Sequence, residues 1–79
     1  MPFSVKAQEI HHCIVGDNHW VRVAKRYIRH RRQYQAGPPY TLDIAGLRER
    51  LKAKLAGMVP DAGDHHWDEI ASWLFEQAR

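Results

Sequence analysis

The chain has 79 residues, 44% hydrophobic and 27% charged, with three Trp, three Tyr and two Phe, which describes one ordered globular domain and excludes a disordered tail or a second domain. Its formal net charge is +3, yet residues 22–32 carry six Lys or Arg and no acid, whereas residues 61–76 carry five acids and no Lys or Arg. No apolar run approaches the roughly 20 residues that cross a bilayer, Pro2-Phe3-Ser4 begins no signal-peptide pattern, and the single Cys13 has no internal disulfide partner, so the chain reads as soluble and cytoplasmic.

Breaks at Gly16-Asp17, Ala36-Gly37-Pro38-Pro39 and Gly57 through Gly63 leave four segments. In the first, Phe3, Ala7, Ile10 and Ile14 recur at helical spacing, which predicts a helix over 4–15 with Cys13 as a small core residue. Phe3, Val5 and Ala7 also alternate with polar residues, and the β-branched Ile10, Ile14 and Val15 suit a sheet, so a short N-terminal strand or hairpin stays open. In the second, Asp17 or Asn18 caps a helix over 18–35 with Trp20, Val23, Ala24, Tyr27, Ile28 and Tyr34 on its apolar side.

The third segment predicts a helix over 42–56, capped by Thr41 or Asp43, with a narrow stripe of Ile44, Leu47, Leu51, Leu55 and Met58 and a left-handed cap at Gly57. Its start, Ala45-Gly46-Leu47, has something of the cadence of a helix-turn-helix element, but Pro38 and Pro39 make the preceding break too long for one. In the fourth, Asp64 caps a helix over 64–78 whose stripe is Trp67, Ile70, Ala71, Leu74 and Ala78, flanked by Trp73 and Phe75. The fold expected is therefore all-α, a bundle of about four short helices in a single domain spanning 1–79. The Leu47-Leu51-Leu55 seam, with exposed Trp73 and Phe75 beside it, packs either inside the monomer or across a homodimer.

The second helix carries the chemistry. Arg22, Lys25, Arg26, Arg29 and Arg32 share one face opposite the apolar stripe, a density beyond what solubility requires, and so point to an acidic partner. Tyr34 and Tyr40 flank the end of that stripe and are the two rings suited to base stacking, while the core accounts better for Tyr27. Asp64, Asp68 and Glu69 form a secondary acidic patch on the last helix, which argues against indiscriminate coating of DNA. A membrane-surface role is disfavoured because so small a domain needs the apolar side of the basic helix for its own core.

Six histidines invite a zinc reading, but adjacent side chains in His11-His12 or His65-His66 diverge on a helix and no His-x3-His or Cys-x2-Cys pair occurs, so no metal or other cofactor is expected. Cys13 lacks an orienting third group, Asp61, Asp64 and Asp68 are explained as caps and first-turn acids, and the proline turn has no amides to cradle a phosphate, so no catalytic set is read. The expectation is a small non-enzymatic binding protein whose basic helix engages nucleic acid. The competing expectation is an inhibitor or adaptor, of the kind phages and plasmids use and including anti-CRISPR proteins, that docks on a protein component of nucleic-acid machinery. That rival rests on size, the missing catalytic set and the two-signed surface.

Overall fold

A computed structural model describes residues 3–34 and 41–78, with side chains over 3–30 and 43–78. Four helices follow in order, α1 (Val5–Ile14), α2 (His19–Tyr34), α3 (Thr41–Leu55) and α4 (Asp64–Ala78), with no strand among the described residues. The N-terminal segment is therefore helix rather than strand. Ser4 caps it by accepting from the Ala7 N–H at 3.3 Å, and the spacing of Ala7, Ile10 and Ile14 buries all three on one side. Gly16 then turns the chain at φ +82°, a left-handed conformation that a Cβ would strain. The carboxylate of Asp17 accepts the His19 N–H at 2.9 Å and starts α2.

The helices converge on α4, which packs against each of the other three. Trp67, Ile70 and Leu74 of α4 join Ile10 of α1 and Leu47 and Leu51 of α3 as the largest fully buried side chains, and Trp20, Val23 and Ala24 extend the same core from α2. The seam on α3 is thus filled within the monomer. No described helix is long and apolar enough to cross a membrane.

Several side chains lie elsewhere than the periodicity places them. Phe75 is 5% exposed and meets Tyr27 edge-on at 5.9 Å, so it belongs to the core, while Trp73 is only partly buried. Met58 is 69% exposed. Beyond Leu55 the chain continues in a right-handed turn, with the Met58 and Val59 N–H groups both donating to the Leu55 carbonyl, and this carries Val59 rather than Met58 into the core. Gly57 accordingly needs no left-handed backbone. Cys13 is exposed, one position short of the buried Ile14, and its thiol donates to the Glu9 carbonyl at 3.4 Å.

Gly46 owes its place to α2 rather than to a recognition turn. A Cβ there would stand 3.1 Å from the Tyr27 hydroxyl, so the glycine admits that ring between α2 and α3.

The start of α4 departs from the sequence reading in a useful way. Gly63 supplies the capping carbonyl, accepting from the N–H groups of His66 at 3.0 Å and Trp67 at 3.4 Å, and in return its own N–H donates to His66 Nδ1 at 2.9 Å. This is a capping box with a histidine in the third helical position, and it leaves the Asp64 carboxylate free to reach across to α3. His66→Ala should lower stability by about 1 kcal/mol, seen as a melting point roughly 4–8 °C lower, whereas His66→Gln should retain most of it because the amide oxygen still accepts. Equal melting of His66→Ala and the parent would refute the cap.

Candidate nucleic-acid interface

The residues of α2 divide by face as its periodicity requires. Trp20, Val23 and Ala24 are buried, Tyr27 and Ile28 pack at the core edge, and Arg22, Lys25, Arg26 and Arg29 are all exposed. The buried stripe is committed to the domain interior and is not available to a bilayer surface. Among the expected site residues, the side chains of Arg32, Tyr34 and Tyr40 lie outside the described part of the structure.

What distinguishes these cations is the fate of the acids. Each of the nine Asp and Glu residues has an interaction partner, and seven of them are spent on groups other than Arg22, Lys25, Arg26 or Arg29. Lys6 of α1 takes Glu9 at 2.9 Å and also Asp61. Arg48 of α3 takes Glu49 at 3.0 Å and Asp68 at 3.2 Å, and Lys52 takes Asp64 at 2.7 Å. Glu69 receives both the Ser4 N–H and the Ser4 hydroxyl, each at 3.0 Å. Asp17 caps α2, and Asp43 and Glu76 also have partners. Even Arg50 is occupied, lying 5.7 Å over the Tyr27 ring.

The expected acidic patch is therefore a set of ties. Asp64 and Asp68 fasten α4 to α3, and Glu69 fastens α4 to the N-terminus of α1. Asp68, Glu69 and Glu76 do line an open groove beside Trp73 on the side of α4 away from its buried stripe.

These ties set the response to acid. The Lys6 ammonium beside Asp61, and the Lys52 ammonium beside Asp64, hold each carboxyl below the usual carboxylate range. A carboxyl whose pKa is lower folded than unfolded contributes stability above its ordinary range and forfeits it as pH falls through the folded value. The contribution of these two ties to the melting point should persist down to about pH 4 and be lost below it. Lys6→Met with Lys52→Met should flatten that acid limb, and an unchanged limb would show that these pairs contribute nothing.

Of the six histidines, His11 serves packing and His66 capping. His11 stands edge-on to Trp73 at 4.9 Å, with Phe3 completing the cluster at 5.8 Å from Trp73, and His66 caps α4 beside His65 at 3.8 Å between ring centres. Among the described residues no three His, Cys, Asp or Glu side chains converge as a metal site.

Comparison with protein-family models, curated proteins and solved structures gives no match. Function rests on the site alone.

Proposed function

We propose that this protein is a small non-enzymatic nucleic-acid-binding domain and that the exposed face of α2 is its binding surface. The observation that carries this reading is the unequal use of charge. Arg22, Lys25, Arg26 and Arg29 are exposed and no ion pair to them is seen among the described residues, although seven of the nine acids are taken up by other groups. Cations left unneutralised on one helix face retain their full field at the surface, and a phosphate backbone is the anion whose repeating charge suits a row of them. Docking on an acidic protein surface remains the rival. Its particular support was an acidic helix able to meet a second patch, and Asp64, Asp68 and Glu69 already have partners within the domain.

The deciding experiment compares the parent with a variant carrying Gln at 22, 25, 26 and 29 in binding to labelled nucleic acid at low salt. Binding by the parent and its loss in the variant supports the proposal. A parent that binds no nucleic acid at low salt rejects it.

A further inference from the structure

We propose that α2 binds duplex nucleic acid by lying along the phosphate backbone, neutralising about four phosphates without reading bases; this rests on the nucleic-acid reading above. Three features of the helix lead there. The first is its seating. A helix with its side chains is about 10–12 Å across and the major groove about 12 Å wide, so a helix that enters the groove reads base edges through the side chains of its outer face. On α2, Trp20, Val23 and Ala24 are buried, and Val21 and Ile28 on the adjoining flank are packed against the core. Only the outer face remains to meet a duplex, and among the described side chains of α2 there is no Asn, Gln, Ser or Thr to read a base edge, which suits a helix resting on the backbone.

The second feature is the inventory of that face. Arg22, Lys25, Arg26 and Arg29 span about 10 Å along the axis, and guanidinium and ammonium groups are the ordinary donors to phosphate oxygens. The third is the state of the rings. Trp20 is 6% exposed. Tyr27 is edge-on to Phe75, with its hydroxyl against Gly46 and Arg50 over its face. Neither ring of the described part of α2 is available to stack on an unpaired base, as single-strand binders require.

The test measures affinity of the full chain for labelled DNA duplexes of AT-rich and GC-rich sequence, an RNA duplex, and single strands, from about 50 to about 200 mM salt. On duplex DNA, RNA or both, log K should fall against log salt with a slope of about −3.6, roughly a hundredfold over that range, and each single Ala substitution at the four cations should reduce the slope by about 0.9. AT-rich and GC-rich duplexes should bind alike. A preference of about tenfold or more for one duplex sequence overturns the backbone-only mode, because a single read base pair is worth that much. Tighter binding of single strands overturns it too, and its loss on Tyr34→Ala with Tyr40→Ala would identify stacking as the cause. Both results leave nucleic-acid binding standing, whereas absence of binding to every probe at low salt removes the mode and the function together.

Discussion

Trp67→Ala is expected to bring the domain close to unfolding at room temperature. Trp67 is 1% exposed and sits on α4, the helix against which all the others pack. Truncating a buried Trp costs about 3–5 kcal/mol, because the lost burial is compounded by a cavity that its neighbours fill only in part. A chain of this length has on the order of 4–12 kcal/mol of stability in total, at about 0.05–0.15 kcal/mol per residue. The melting point should therefore fall by more than about 10 °C, if a cooperative transition survives at all. Trp73→Ala provides the comparison, since that ring is only partly buried and meets Phe3 and His11 by its edges. A thermal melt followed by circular dichroism reads both. Equal, small shifts for the two would mean that α4 is not the hub of the core.

The contrast between those two tryptophans also marks how far the sequence carries. Helix periodicity is a local property, so Trp67, Ile70 and Leu74 could be assigned to one buried face of α4, and Trp20 and Val23 to one face of α2, from spacing alone. Phe75 could not. It lies at the margin of the stripe, and only the arrival of Tyr27 from α2 covers it. Met58 and Val59 are similar cases, because the turn after Leu55 decides which of the two reaches the core. Cys13 departs from its expected core position for the opposite reason: it adjoins the buried Ile14 in sequence, but on a helix neighbours diverge by about 100°.

The site was legible in half. The cationic face of α2 follows from spacing, and Arg22, Lys25, Arg26 and Arg29 lie on the exposed side as expected. The role of the acids does not follow from spacing, because it depends on contacts between residues far apart in the chain. Asp64 reads as a cap, yet Gly63 and His66 do the capping and Asp64 ties to Lys52. Asp68 and Glu69 read as first-turn acids suited to the helix dipole, a sound reason for their positions that says nothing of Arg48 or Ser4. The signal that was available is the presence of Arg48 and Lys52, four apart on α3 and so on one face of that helix.

Replacing Arg22, Lys25, Arg26 and Arg29 together by Gln should abolish nucleic-acid binding and at the same time make the domain more stable. The two effects have one cause. These residues form four like-charge pairs at spacings of three or four, namely 22 with 25, 22 with 26, 25 with 29 and 26 with 29, and each such pair destabilises a helix by about 0.2–0.5 kcal/mol. Gln is nearly as good a helix former as Arg or Lys, and all four side chains are exposed, so the substitution removes repulsion without disturbing the core. Stability should rise by about 1–2 kcal/mol, or several degrees in melting point. Each lost cation–phosphate contact is worth at least about 1 kcal/mol even fully solvated, so affinity for a duplex at low salt should drop about a thousandfold. An ordinary solvated face would intersperse acids and lower this repulsion; the retained strain makes sense if a polyanion relieves it on binding. The melting point with and without duplex separates the possibilities: duplex should raise it for the parent and leave it unchanged for the variant. A parent whose melting point ignores duplex at low salt would remove nucleic acid as the anion that relieves this repulsion.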